Sequence, residues 1–260
     1  MSPDPDALRA LAVDLAQAAG RLLLQARPTG QISKSSPTDP VTDADRQAES
    51  YLVGRLRRER PEDSVIAEEG SLHEGQSGVR WVIDPLDGTV NFVYGIPHWC
   101  VSVGVEGAVR LGVVHDPNRR ETFTNAGDLR ASPKTELAEA LVGTGFSYSS
   151  EVRDRQGRIA RRVLPRVRDI RRAGSLALDL AWLACGRLDG FYEDDIHHWD
   201  VSAGIALVES AGGVVALHGS LIVAAGTEEL LTKLEALVLG GDSRHREPPS
   251  EGLEGALGGA

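Results

Sequence analysis

Cysteine is scarce in this chain: only Cys100 and Cys185 occur, each in an apolar stretch, HWCVSV and AWLACG. That scarcity excludes a disulfide scaffold and a cysteine-based metal site, leaving buried reduced thiols as the expected state. Long hydrophobic runs are missing too. None approaches the roughly 18 residues needed to cross a bilayer, and MSPDPDALRA carries no basic segment leading into an apolar one. A cytoplasmic protein without a membrane partner is the expectation that follows. Basic charge is in deficit, with 28 Lys and Arg against 38 Asp and Glu for a net charge of −10. Such a balance argues against nucleic acid as the main partner, because a phosphate backbone is bound by clustered Lys and Arg. A nucleotide-hydrolysing GxxxxGK[ST] loop is also absent.

One segment departs from the acidic average. Residues 151–172 hold nine arginines against three acids, and Arg155, Arg158 and Arg162 fall near one face of a helix that carries Ile159 and Val163 on its other side. A solvated face or a subunit contact accounts for a basic stripe that lacks interleaved aromatics. Contact with RNA or the transcription machinery is the alternative.

What is present is the composition of a globular protein, 41% apolar and 25% charged, long enough for a sizeable core. Asp6 to Arg27 reads as an amphipathic helix that stops at Pro28 and Gly30, and a second helix spans Asp43 to Arg58. Strands are expected at Ser64–Ala67, Val79–Asp84, Cys100–Glu106, Arg110–His115 and Glu121–Thr124. After about Ser132 the pattern changes to strands alternating with helices, which signals an α/β layer. The expected organisation is an α+β domain over 1–132, an α/β domain over 133–241 and a disordered tail over 242–260, rich in Gly, Pro and charge.

The acids carry the chemistry. In RWVIDPLDGTVNF an apolar strand delivers Asp84 and is expected to break at Pro85, which has no amide hydrogen and holds Asp84 extended. Asp87, Gly88 and Thr89 follow as a turn that frees the amides of Gly88 and Thr89 for phosphate oxygens. Asp84 and Asp87, either side of the Leu86 carbonyl, offer hard oxygen ligands of the type Mg²⁺ prefers. Glu68 and Glu69 end a strand, Glu193 ends another, and Asp200 opens a helix. Lys34, Asp39, Thr42, Asp43 and Asp45 lie in a turn entering the second helix, where capping is the ordinary role of Thr and Asp. Each group alone reads as turn, surface or cap. Together they repel one another unless a cation joins them. Two or three divalent ions would remove the conflict, and carboxylate and carbonyl donors point to Mg²⁺, with Mn²⁺ as a substitute. His197 and His198 adjoin Asp200 and read as packed or hydrogen-bonded residues.

The order KSSPTDPVTDAD, AEEG, WVIDPLDGTVNF and IHHWDVSAG resembles the inositol monophosphatase family, over nearly the whole chain from Asp6 to about Leu239. The resemblance implies a layered αβαβα sandwich, commonly a homodimer, and Mg²⁺-dependent hydrolysis of a small phosphorylated polyol such as inositol 1-phosphate. By the same resemblance Glu68, Asp84 and the Leu86 carbonyl are ligands of a first metal, and Asp84 is shared with a second that Asp87 and Asp200 also hold. A third, weaker ion is placed near Glu68. Glu68 and Thr89 orient the attacking water, Asp45 polarises Thr89, and Gly88 and Thr89 give amides to the phosphate. Glu193 is similar to the family's sugar-hydroxyl acceptor, and Gly174, Ser175 and Leu176 occupy the loop bordering the polyol. Leu176 stands where alanine is frequent. Lys34 is a possible accessory residue, and inhibition by lithium is implied. Histidinol-phosphate phosphatase is the near alternative, and fructose 1,6-bisphosphatase and nucleotide bisphosphate phosphatases are more distant ones. A regulatory protein acting through residues 151–172 is the alternative of a different class.

Overall fold

The structure, a computed structural model, describes residues 4–26, 33–34 and 40–240, with the side chains of 33, 34, 40 and 41 outside that description. Arg27, Pro28, Gly30, Asp39, the Lys34 side chain and the tail from Asp242 therefore lie outside the described residues. In chain order the elements are α1 (Pro5–Gln25), β1 (Ser33–Lys34), β2 (Pro40–Val41), α2 (Asp43–Glu59), β3 (Ser64–Ala67), β4 (Leu72–His73), β5 (Val79–Asp87), α3 (Thr89–Val93), β6 (Cys100–Gly107), β7 (Leu111–Asp116) and β8 (Glu121–Thr124). A 3-10 turn at Leu137–Glu139 precedes β9 (Leu141–Thr144), α4 (Ser150–Val163), β10 (Asp169–Arg171), α5 (Leu176–Ala184), β11 (Gly190–Glu193), α6 (His198–Ser210), β12 (Val214–His218), β13 (Leu221–Ala225) and α7 (Glu228–Leu239). Among the described residues no helix is long and apolar enough to cross a membrane.

The chain forms two compact units, one of Met1–Gly127, Gly174–Ala181 and Trp199–Leu207, the other of Asp128–Ala173, Trp182–His198 and Val208–Ala260. Each packs helices on a sheet, the mixed helix-and-sheet layering the sequence predicts. In the first unit, α1 starts at Asp4, whose side chain accepts from the Asp6 amide at 3.0 Å, with Pro5 in the first turn where its missing donor costs nothing. Leu8, Ala12, Leu15, Ala19 and Leu23 then recur on one face and are buried. They pack with Leu52 and Leu56 of α2 and with Trp81, Ile83, Val101, Val103 and Val113 of the sheet. The sheet runs β4-β3-β5-β6-β7-β8, parallel at β3/β5 and antiparallel elsewhere. Trp81, fully buried, donates its indole N–H to Asp63 at 2.9 Å.

Two departures from the expected strands matter for function. The β5 strand does not end at Pro85. It runs on to Asp87 through a register shift, with Asp84 opposite Ser102 but Asp87 opposite Cys100, so three steps on β5 face two on β6. Proline is tolerated there because a bulge residue owes no hydrogen to the ladder. The second departure is a cross-strand glycine pair, Gly104 of β6 opposite Gly112 of β7. A Cβ on Gly104 would overlap the Ser202 hydroxyl, and one on Gly112 would overlap the Ala203 carbonyl. The pair is thus a slot through which the backbone of α6 approaches the sheet, and Ser202 Oγ donates to Glu106 Oε1 at 2.7 Å beside it.

The second unit has the sheet β10-β9-β11-β13-β12, with β9 parallel to both β10 and β11. Ile159 and Val163 of α4 and Leu230, Leu231 and Leu234 of α7 share its core with Val142, Tyr192 and Val223. All three arginines of the predicted stripe are engaged within this unit. Arg155 donates through Nε and Nη2 to the buried Asp194 Oδ2 at 2.8 and 2.6 Å. Arg162 donates to the Leu237 and Val238 carbonyls at 2.9 and 2.7 Å, capping the end of α7. Arg158 pairs with Asp154 one turn away. Arg155→Ala would leave the Asp194 carboxylate buried without its cation, and a loss of about 3 kcal/mol is expected, read as a fall in the denaturant midpoint. An unchanged midpoint would return Arg155 to the surface role the sequence suggested.

Candidate active site

Asp45, Glu68, Asp84, Asp87 and Asp200 come together in the first unit, whereas Glu193 belongs to the second. The parallel register sets Ala67 beside Ile83, and the ladder continues with the Glu68 amide donating to the Ile83 carbonyl at 3.2 Å. The next side chains, Glu68 and Asp84, are therefore neighbours, close enough for a carboxyl-to-carboxyl hydrogen bond. Asp84 is buried, and its Oδ1 accepts from the Leu86 amide at 2.9 Å. Glu68 is half-buried, and its Oε2 is enclosed with no hydrogen-bond partner.

Thr42 and Asp45 cap α2 reciprocally, as residues at this position commonly do: Asp45 Oδ2 accepts from the Thr42 amide at 2.9 Å and from its hydroxyl. Asp45 also reaches the site, because its Oδ1 lies 3.1 Å from Thr89 Oγ1, which is 3.0 Å from the Leu86 carbonyl. One hydroxyl proton faces two acceptors. Asp87 has a structural duty as well. Its Oδ2 accepts from Ser175 Oγ at 2.5 Å and from the Ala177 amide at 2.7 Å, so it caps α5 and fixes the loop 174–176. Thr89 opens α3 after Gly88, and Asp200 lies in the first turn of α6.

Burial pushes the carboxyls of Glu68 and Asp84 well above the ordinary range. Asp200 raises Glu68 further, and Glu68, Asp87 and Asp200 raise Asp84. Asp87 and Asp45 are raised mainly by burial, against the hydrogen bonds that lower them. Among the described residues no three His, Cys, Asp or Glu side chains close into a ready-made metal cage. The donor set nevertheless fits a hard divalent ion: carboxylates and a carbonyl, mutual repulsion, and an orphaned buried oxygen on Glu68. A carboxyl raised in the folded state stabilises the protein below its unfolded pKa, and that stability is lost as pH rises through the folded value. Metal-free protein is therefore expected to lose melting temperature from about pH 4 upward through these acids, and Mg²⁺ to restore more at pH 8 than at pH 5. Melting curves at the two pH values, with and without the ion, check this; an equal shift at both would separate cation binding from these acids.

The remaining expected residues fall where their elements put them. Ser175 is buried, and Leu176 begins α5. Glu193 ends β11 in the second unit, beside Gly145, where a Cβ would overlap its carboxylate. Lys34 is in β1, paired with Pro40. His197 precedes α6, and His198 opens it. Three contributors escape the sequence reading. Glu49 is buried one turn after Asp45 on α2, and its carboxylate accepts from the Glu69 and Ser71 amides at 2.7 and 3.1 Å, holding the turn that presents Glu68. Its four-residue spacing from Asp45 was the available signal. Asn91 donates to the carbonyls of His98 at 2.7 Å and Gly174 at 3.3 Å, joining α3 to the 174–176 loop. Cys100, a buried free thiol, lies 3.7 Å from Asp87 Oδ2 and 3.6 Å from Ser175 Oγ, and burial pushes it well above its usual range.

The model of the inositol monophosphatase family matches residues 4–235. The chain is 41% identical over 233 residues to the inositol-1-monophosphatase SuhB of Mycobacterium tuberculosis, covering 78% of this chain and 80% of that protein. It is 35% identical over 252 residues to a Pasteurella multocida protein named Nus factor SuhB, covering 86% and 94%. The crystal structure of the extragenic suppressor protein suhB from Bartonella henselae superposes with a TM-score of 0.84 at 34% identity, over 91% of this chain and 100% of that one. With that coverage by sequence and by structure, the chain belongs to the inositol monophosphatase family.

Proposed function

We propose that this protein is a Mg²⁺-dependent phosphomonoesterase that releases phosphate from a small polyol phosphate, inositol 1-phosphate first among them. The observation that carries the reading is the convergence of Glu68, Asp84, Asp87 and Asp200, whose charges conflict in one buried place. Glu68, Asp84 and the Leu86 carbonyl would hold one cation, Asp84, Asp87 and Asp200 a second, and Glu68 a third, weaker one. When bound, such ions neutralise the phosphate and acidify a water. Glu68 and Thr89 orient that water, with Asp45 accepting from the Thr89 hydroxyl and so leaving its oxygen lone pairs toward the water. The Gly88 and Thr89 amides receive the phosphate oxygens. The water oxygen bonds to phosphorus as the ester P–O bond breaks in line, and the departing alkoxide takes up a proton. Gly174, Ser175, Leu176 and Glu193 border and read the polyol. A cytoplasmic homodimer inhibited by Li⁺ completes the proposal, with Mn²⁺ able to replace Mg²⁺.

The relatives named Nus factor raise a transcription role, for which the basic segment 151–172 is the candidate surface in this chain. The internal contacts of Arg155, Arg158 and Arg162 favour the phosphatase reading over it. The test is phosphate release from inositol 1-phosphate, histidinol phosphate and glycerol 2-phosphate, with and without Mg²⁺. Turnover of inositol 1-phosphate only in the presence of Mg²⁺ is expected; no release from any ester at saturating Mg²⁺ would refute the assignment.

A further inference from the structure

A cavity of about 310 Å³ opens in the first unit between α1 and the β7–β8 hairpin, lined by Gln17, Arg21, His115, Arg120 and Thr122. None of these residues belongs to the acidic cluster. The walls are tied together already: Gln17 Nε2 donates to Thr122 Oγ1 at 3.3 Å, and that hydroxyl lies 2.9 Å from His115 Nδ1. Gly20 lets α1 approach closely, since a Cβ there would press on the His115 ring. Leu24 and Pro117 add apolar surface.

Two features single this cavity out in a chain of net charge −10. Among the described residues neither Arg21 nor Arg120 forms an ion pair with a carboxylate, whereas Arg119 beside them is held by Asp116 at 2.6 Å. The Asp116 carboxylate is engaged by its own loop, where it also accepts from the Asn118 and Arg119 amides, and its charge acts on His115. Arg120 moreover sits at φ 58°, in the left-handed region that glycine occupies freely. A side chain there costs about 1 kcal/mol, so the turn carries a guanidinium where a glycine would be more stable.

We propose that this cavity is a second anion site, which takes the phosphate dianion of a small phosphomonoester or of inorganic phosphate. Guanidinium groups suit that ligand because their planar N–H pairs match two phosphate oxygens. Gln17 has amide capacity beyond its bond to Thr122. The volume admits a phosphate with a small organic group and lies at the lower end for ligand pockets. The site does not depend on the phosphatase reading.

The test is calorimetric titration of the full chain, stripped of divalent cations on a chelating resin, with inorganic phosphate and separately with glycerol 2-phosphate at constant ionic strength. Without cations the acidic cluster repels both ligands, so binding reports the cavity. Affinity on the order of millimolar or tighter is expected, weakened about tenfold by Arg21→Gln and by Arg120→Gly. The second variant should melt no lower than the parent, because glycine relieves the left-handed turn. The ligand that binds more tightly names the source of the phosphate. Absence of binding to the parent, binding by both variants as tight as that of the parent, or equal displacement by chloride would overturn the site.

Discussion

Asp84→Asn is expected to lower phosphate release by about a thousandfold or more, equivalent to roughly 4 kcal/mol of transition-state stabilisation, while the protein stays folded. Asparagine keeps the shape and the ability to accept from the Leu86 amide at the position Asp84 Oδ1 occupies, but it removes the anion proposed to bridge two cations. The same substitution should raise the stability of metal-free protein. Asp84 is held well above its ordinary range by burial and by Glu68, Asp87 and Asp200, so its ionised form penalises the fold. The neutral amide escapes that penalty. The melting temperature of the metal-free variant should exceed that of the parent at pH 8, with the gap closing as pH falls through the folded pKa toward about 4, where both are neutral. Near-parental turnover at saturating Mg²⁺ would remove Asp84 from the site. A lower melting temperature at pH 8 would show that the carboxylate is already compensated without a cation.

A second large effect is expected on substrate choice. Glu193→Gln should cost about ten- to a hundredfold in kcat/KM on inositol 1-phosphate and much less on glycerol 2-phosphate, the range for a hydroxyl bound to a charged acceptor. Gly145→Ala should reproduce that profile from a different residue. The Glu193 carboxylate lies where a Cβ on Gly145 would be, so alanine must displace it. Gly145 is thus a positioning residue, one place beyond Thr144, whose β9 strand pairs with Tyr192 just before Glu193. Equal losses on both esters would mean that Glu193 supports the protein generally rather than reading the polyol. A loss confined to histidinol phosphate would assign it to an ammonium instead.

Much of the architecture was legible because local signals and tertiary demand agree. Ser64–Ala67 and Glu121–Thr124 are short runs rich in apolar or β-branched residues and followed by turn residues, and they form strands over those same spans. The acids Glu68, Asp84, Asp87 and Asp200 could be suspected because Lys34 is the one obvious basic partner within the acidic segments of the sequence. What stayed hidden depends on through-space partners. Strand β5 outruns Pro85 because its own bulge opposite β6 relieves the proline of a ladder bond, and no residue of β5 alone encodes that register. Glu49 looks like one more surface acid on a charged helix until the Glu69 and Ser71 amides are found at its carboxylate. Arg155 and Arg162 read as a solvent stripe because Asp194 and the end of α7 lie far along the chain. Gly104 and Gly112 read as ordinary strand glycines, although an isolated glycine inside a strand is itself a sign that another backbone comes close.

The unit that carries these acids is discontinuous in the chain, built from residues up to Gly127 and then from Gly174–Ala181 and Trp199–Leu207. A ribosome working at roughly 5–20 residues per second releases Asp200 about 4–15 s after Thr124, the last residue of the sheet. Throughout that interval the nascent chain has its sheet, with the slot at Gly104 and Gly112 open, but not the helix that fills it. The carboxylate of Asp200 enters last, so a chain stalled before it lacks one of the four acids proposed to hold the cations.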